Sequence, residues 1–489
     1  MATILRLGRL FALLPAELGE RYHELCTVTL VKQERPSRDN NWQKKTTYDE
    51  RRLWWYDKDS ITGQDAFCAL AGYEAAIVAD LTRLGIPITI EQRVDSGIGR
   101  PEFARIGNVQ LRVHQKEMLL KVCSSNGGVF VAATGSGKST LIKLLARIFP
   151  TIKIVITVPS VDVAKDLYES LTSQPDLTTD EVGFIGGGGK RNARITVAVT
   201  HSAEKCYQDA NLVLCDEAHM MLTERFIKIL NHFSRAKFFA FTATPGGKAD
   251  GSDGFMQALF GQILAESDYQ DSVDVKSVVP IQVRQVPSTI GPNLTGCDRD
   301  DVRESLGIIR NKARNELIAK HTRALMAELG PDAQVLVMVS KVEHAYRLQQ
   351  LLPEFVTVTA SVSAEQVQKF TRVGAFDPAT QSPCTSKDRE QRKHDFSTGK
   401  LKYAIANSVW ERGVDFKDLA CLVRADGARS SIKAVQITGR LSRTGSAGDK
   451  QVGLLIDFYD GFDESCKRRS AARFAEYRKQ GWQVDRVTA

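Results

Sequence analysis

From Val109 onward the chain alternates short runs of β-branched and aromatic residues with longer stretches whose apolar positions recur at helical spacing. The short runs are 128–133, 152–158, 195–200, 212–215 and 238–242. Apolar runs of this length separated by helices predict strands buried on both faces, as in a parallel sheet with crossover helices. The rhythm breaks over 265–301, which is polar and turn-rich, and resumes at 334–340, 355–359, 403–406, 419–425 and 453–458. Two α/β domains joined by a linker are predicted. The first 105 residues differ. Strands are predicted at 24–32, 51–57 and 87–93 and an Ala-rich helix at 65–84, giving a small α+β module with its own helix-on-sheet core. Arg6, Arg9 and the apolar run 10–14 imitate a leader peptide. Pro15 interrupts that run and Glu17 and Glu20 follow, so the start is read as an ordinary first strand or helix.

Length and composition narrow the class. At about 150 residues per domain, 489 residues suggest three domains, and 43% hydrophobic with 25% charged residues is a globular composition. A net charge of +8 permits a polyanionic partner without requiring one. Nine cysteines stand singly, with no CxxC pair. This argues against a zinc ribbon or a disulfide framework and for reduced thiols in a cytosol-like compartment. No apolar run approaches the roughly 18 residues of a membrane span, so no membrane partner is expected.

Candidate chemistry begins at Ala132-Ala133-Thr134-Gly135-Ser136-Gly137-Lys138-Ser139, between a strand and a helix. In that context the loop from Thr134 to Gly137 curls so that backbone N–H groups face a polyphosphate; Lys138 adds a point charge and Ser139 a hydroxyl for Mg²⁺. The run 212–215 ends in Asp216-Glu217-Ala218-His219. Asp216 suits the Mg²⁺ shell and Glu217 the attacking water. Thr242-Ala243-Thr244-Pro245 ends another strand, where hydroxyls can sense the metal site. The glycines 186–189 and Lys190 mimic a phosphate loop, but a strand follows rather than a helix, so a hairpin turn is expected. Arg440 and Arg443 lie three apart, on one helical face. An arginine delivered from a second domain stabilises a phosphoryl-transfer transition state. With Gly413 and Asp415 upstream, these residues point to a composite site.

The ordered set Gln115 in LRVHQ, AATGSGKS, Val158-Pro159-Ser160, Val199-Thr200-His201, DEAH, TATP, 337–340, Arg412-Gly413-Val414-Asp415 and QITGRLSR resembles a superfamily 2 helicase. The resemblance implies two tandem RecA-like parallel-sheet domains, 106–275 and 276–489, after a small α+β DNA-binding accessory domain, 1–105. It implies ATP and Mg²⁺ as cofactors, Gln115 as the adenine reader, Lys138 and Ser139 as phosphate and Mg²⁺ ligands, and Asp216 and Glu217 as metal and water residues. Gly413 and Asp415 would couple at the cleft, Arg440 and Arg443 would meet the γ-phosphate with Arg443 as the finger, and Ser160, Thr200 and Ser340 would lie on the nucleic-acid path. Asn407 stands where the family usually has Thr. The chain ends 46 residues after Arg443, shorter than RNA helicases of the DEAH type, and TATP departs from the DEAD-box pattern. What remains is similar to the DNA branch that includes phage UvsW-type proteins. The function expected is an ATP-dependent DNA helicase, monomeric, in the cytosol of a bacterial or phage-infected cell, acting on forks, D-loops, R-loops and Holliday junctions, with no protein partner identified. A duplex translocase and an RNA helicase are the alternatives. Among Trp54, Trp55 and Tyr56 packing is expected over base stacking, and the long connection 372–386, with Phe376, Pro378 and Pro383, is either a strand-separating wedge or a surface loop.

Overall fold

The computed structural model describes residues 1–34, 45–132, 136–243, 246, 250–267, 273, 278–297, 299–407, 410, 416, 418–427, 438–442, 445 and 450–487, the side chains of Gln33, Glu34, Lys45, Glu224, Leu230 and Arg440 excepted. The chain forms two units, divided near Ser267, and each is described by itself.

The first unit holds two sheets and a ribbon. Its N-terminal strands are β1 (Ala2–Leu7), β2 (Leu10–Leu14), β3 (Thr27–Glu34), β4 (Lys45–Arg52), β5 (Trp54–Lys58), β6 (Asp65–Leu70) and β7 (Ile88–Gln92). They make a five-stranded sheet in the order β5-β6-β2-β1-β7, with β3 and β4 paired as a separate antiparallel ribbon. The predicted helix at 65–84 is therefore only half helix. Asp65–Leu70 is a strand between β5 and β2, and the helix runs Glu74–Arg83. Pairing on both sides overrides the helical preference of alanine. The start of the chain is a strand pair, β1 on β2.

The second sheet contains β8 (Gly127–Ala132), β9 (Ile154–Val158), β10 (Val182–Gly186), β11 (Gly189–Arg191), β12 (Ile195–Val199), β13 (Leu212–Asp216), β14 (Lys237–Thr242) and β15 (Ile263–Ser267), ordered β11-β10-β12-β9-β13-β14-β8-β15. Every pairing is parallel except β10 with β11, the hairpin expected at the glycine run. Alternate residues of a strand face opposite ways, and the two faces bury different partners. Phe130, Ile154, Ile156, Leu214, Phe239 and Phe241 pack with the helices Val113–Ser124, Lys138–Ile148 and Val161–Thr172. Val129, Val213, Phe238 and Ala240 pack instead with Phe255 and Leu259 and with Ala2, Ile4, Phe11, Leu13, Phe67 and Ala69 of the N-terminal sheet. The N-terminal module thus shares its core with the sheet beside it, which corrects the expectation of a separate core.

Two glycines permit that docking. A Cβ on Gly72 would sit 1.9 Å from the Gln257 carbonyl oxygen, and one on Gly8, where φ is +77°, would sit 2.2 Å from that of Ser234. Between them Arg9 N donates to Ser234 O and Ala71 N donates to Arg9 O. In the aromatic run, Trp54 is half-buried and stacks on His23 with centroids 3.8 Å apart, while Trp55 and Tyr56 are exposed.

The second unit contains β16 (Ile281–Ser288), β17 (Gln334–Met338), β18 (Val356–Val358), β19 (Tyr403–Ala406), β20 (Leu419–Arg424), β21 (Gly453–Asp460) and β22 (Gln483–Arg486), ordered β18-β19-β17-β20-β21-β16-β22 and parallel throughout. A charged network lies inside it. Arg314 donates to Asp460 and to the Ala425 carbonyl, Arg473 to Asp457, and Arg424 to Asp426 and the Tyr477 hydroxyl, which in turn donates to Asp457. The three arginines are fully buried. Burial alone would lower the Arg424 and Arg473 affinities for protons, but Asp426 and Asp457 outweigh it and push both up. The connection after the helix Ala364–Arg372 is packed rather than a loose loop. Phe376 is buried edge-on against Tyr346, and Gln381 Nε2 donates to Tyr346 O at 2.8 Å and to Gln349 Oε1 at 2.9 Å.

Two outcomes are expected. Gly72→Val destabilises the first unit by about 1–3 kcal/mol through overpacking, whereas Gly99→Ala, whose Cβ would meet nothing nearer than 3.8 Å, is neutral in thermal unfolding. His344 is fully buried beside Asn315, and burial pushes its ring down to about 3. Between that value and about 6.5 the unfolded chain binds the extra proton, so stability rises with pH across this window and is lost toward its acid end. His344→Gln flattens that limb in a pH series of unfolding midpoints.

Candidate nucleotide site

Parallel strands end at one edge of their sheet, and β13, β14 and β8 are adjacent there. Asp216 ends β13, Thr242 ends β14, and Ala132 ends β8 ahead of the phosphate-loop residues. Adjacent strands stand about 4.8 Å apart, so three motifs distant in sequence meet within one site. Thr134 and Gly135 lie outside the described residues. Ser136 is buried, and Gly137 has φ +94° and precedes the helix Lys138–Ile148. A Cβ there would lie 2.3 Å from Gln115 Nε2. Gln115 opens the helix Val113–Ser124, accepts from Arg112 N at 3.0 Å through Oε1, and donates to Gly137 O at 3.4 Å through Nε2. The structure therefore brings Gln115 to the loop. Lys138 Nζ donates to Ala132 O at 2.7 Å, across the mouth of the loop, and Ser139 follows in the first helical turn.

Asp216 is buried at the strand end and accepts from Glu217 N at 3.0 Å. Burial, with Glu217 adding to it, pushes its carboxyl up to about 7, against the pull of Lys138. A carboxylate buried next to a second acid calls for a cation. With the Ser139 hydroxyl near the loop, the donor chemistry of hard oxygens fits Mg²⁺, which keeps several waters and takes few protein ligands. Glu217 has φ +53°, and among the described residues no other non-glycine has a positive φ. Such backbone costs on the order of 1–3 kcal/mol and collects at functional sites.

His219 is the residue that sequence reasoning named within its motif but gave no role. It is buried; its Nδ1 lies 2.9 Å from Thr242 Oγ1 and 3.5 Å from Glu217 Oε2. The signal was the pair of motifs at the ends of apolar runs, since adjacent parallel strands bring such ends together.

Ser160 and Thr200 follow neighbouring strands β9 and β12 at the same edge. Both hydroxyls serve the fold: Ser160 Oγ caps the helix Val161–Thr172 by accepting from Val163 N, and Thr200 Oγ1 donates to Val158 O at 2.9 Å. Beside them lies a hollow of about 190 Å³ lined by Pro159, Thr200, His201, Thr223 and Arg225. In the second unit Ser340 Oγ donates to Glu304 Oε1 at 2.6 Å, and Asn407 is buried after β19. Gly413, Asp415 and Arg443 lie outside the described residues, as does the side chain of Arg440. The turn Gly439–Ser442 that carries Arg440 is held by Lys450, whose Nζ donates to Leu441 O and to Leu419 O.

Residues 108–247 match the family described as type III restriction enzyme, res subunit, and residues 319–445 match the helicase conserved C-terminal domain. The chain is a superfamily 2 helicase. As such it is an ATP-dependent enzyme. Curated relatives of this helicase include the DNA 3'-5' translocase XPB2 of Sulfurisphaera tokodaii, 22% identical over 388 residues that cover 76% of this chain and 85% of the relative. A putative DNA 3'-5' helicase Rad25 of Halobacterium salinarum is 24% identical over 84% of this chain and 64% of its own length. Among solved structures, a putative HsdR subunit fragment of a type I restriction enzyme from Vibrio vulnificus superposes over 89% of the helicase and 78% of that chain, with a TM-score of 0.55 and 19% identity. T4 UvsW spans 100% of the helicase and 99% of that chain, with a TM-score of 0.41 and 15% identity. The parallel sheets are those of tandem RecA-like helicase domains. Among the described residues no helix is long and apolar enough to cross a membrane.

In the helicase, Gly137→Ala forces a positive φ on a residue with a side chain, at about 1–2 kcal/mol, and displaces the Gln115 amide. A fall of roughly tenfold in ATP affinity is expected from titration with a fluorescent ATP analogue.

Proposed function

We propose that the helicase is an ATP- and Mg²⁺-dependent motor on DNA that remodels branched substrates such as forks, D-loops, R-loops and Holliday junctions, moving 3′ to 5′. The meeting of Lys138, Asp216, Glu217 and the His219–Thr242 pair at one sheet edge carries the reading, because those groups are the parts that phosphoryl transfer to water requires. Mg²⁺, held by Ser139 and Asp216, would neutralise charge on the β- and γ-phosphates. Thr134, Gly135, Ser136 and Gly137 wrap the phosphates, Lys138 draws on their charge, Gln115 reads the adenine, and Glu217 takes a proton from the attacking water. Residues 1–105 serve as an accessory domain on duplex arms, 106–275 as the ATP-binding domain and 276–489 as the second helicase domain. From that second domain Arg440 and Arg443, with Gly413 and Asp415, complete the site, so that ATP closes the two domains and hydrolysis releases them. Ser160, Thr200 and Ser340 line the strand, whose backbone contacts are indifferent to sequence and sensitive to salt.

Support for DNA comes from the two relatives, both named for 3'-5' action on DNA. The match to a restriction-enzyme res subunit and the translocase name of one relative favour a second reading, movement along duplex without strand separation.

Lys138→Ala and Arg443→Ala each abolish DNA-stimulated ATPase while DNA binding persists in a filter-binding assay; retained turnover in Arg443→Ala overturns the composite site. ATPase and strand displacement measured together on single strands, forks, four-way junctions and RNA duplexes separate the readings. Displacement on junctions supports the first, duplex stimulation without displacement the second, and stimulation by RNA alone refutes both.

A further inference from the structure

At the start of β8, where the N-terminal module meets the second sheet, lies an open cleft of about 240 Å³. Arg6, Arg9, Arg235 and Lys237 line it, against Glu74 as the one carboxylate in its wall. Glu74 is already taken by Arg6 Nε at 2.7 Å. Arg9 is buried among apolar neighbours, with its guanidinium carbon 4.4 Å from the centre of the Phe238 ring and one amino group donating to Leu259 O. Among the described residues no carboxylate pairs with Arg9, and its Nε has no hydrogen-bond partner. Burial pushes this guanidinium down to about 10, and burial also lowers Lys237, with Asp95 as the acid that opposes it.

A buried cation without a counter-ion costs several kcal/mol unless an anion reaches it. We propose that this cleft binds a phosphate group, with the Arg9 guanidinium supplying charge from beneath its floor and Arg235 and Lys237 meeting the ligand at its rim. It is distinct from the nucleotide site: Gly127 and Ala132 are opposite ends of β8, roughly 17 Å apart for a strand of this length. The phosphate is either free or a phosphodiester of a nucleic-acid strand crossing the module. Only the latter form rests on the DNA reading above.

Arg9→Met is the direct variant, but Arg9 also seals the apolar core, so the rim pair Arg235→Ala/Lys237→Ala provides the independent one. The full chain carrying Lys138→Ala, which weakens phosphate capture at the nucleotide loop, is titrated with inorganic phosphate against chloride at equal ionic strength. Its unfolding midpoint rises with phosphate, and the rim substitutions abolish the rise. In a second arm, anisotropy of a labelled DNA duplex is followed across salt. The rim pair weakens binding several-fold and lowers the slope of log affinity against log salt by about 1–2. Loss in the first arm alone assigns a free phosphate, and loss in the duplex arm assigns a strand. If phosphate stabilisation and duplex affinity are both unchanged in a rim variant with wild-type circular dichroism, the site is refuted. A helicase that ignores DNA altogether refutes the DNA reading and leaves the phosphate arm to decide the cleft.

Discussion

Burying Asp216 beside Glu217 at the end of β13 is the unfavourable step around which the first unit is arranged. A lone ionised carboxylate at that depth is costly, and the sheet answers with position rather than with a permanent partner. Lys138 is near enough to draw on the Asp216 carboxylate, and it donates to the Ala132 carbonyl. Glu217 is turned into left-handed backbone, and His219 is held by Thr242 from the next strand. The apolar strands supply the stability that offsets this buried charge.

The second unit handles buried charge in the opposite way. Arg314, Arg424 and Arg473 are each matched to an aspartate, and the Tyr477 hydroxyl links two of the pairs. Removing one partner from such a network typically costs about 3–5 kcal/mol. The network clamps Ala425 and Asp426 at the end of β20, and Lys450 ties the start of that strand to the turn bearing Arg440.

Five strands of each large sheet were legible because fully buried parallel strands are written as unbroken β-branched and aromatic runs. The strand β16 (Ile281–Ser288) was not, since the polar residues alternating through IQVRQVPS hid it within the stretch 265–301 expected to be a linker, which the structure corrects. Lys138 and Asp216 could be named from their places at the ends of apolar runs, and Gln115 only through the resemblance. The strand Asp65–Leu70 was not legible, since DAFCAL is as compatible with a helix, and its two neighbours β2 and β5 decide. Nor was the burial of Phe376, which depends on Tyr346, thirty residues earlier. The contact of His219 with Thr242 required knowing that β13 and β14 are adjacent, a fact of topology that local pattern does not contain.

The close approach at Gly8 and Gly72 lets the N-terminal sheet pack on the face of β8, β13 and β14 that also carries the helix Glu224–His232. Val129, Val213 and Phe238 are covered by that sheet together with Phe226, Ile229 and Phe233. The module is thus less an appendage than a wall: its strands and the large sheet hold one interior between them, so neither can shift without disturbing the other.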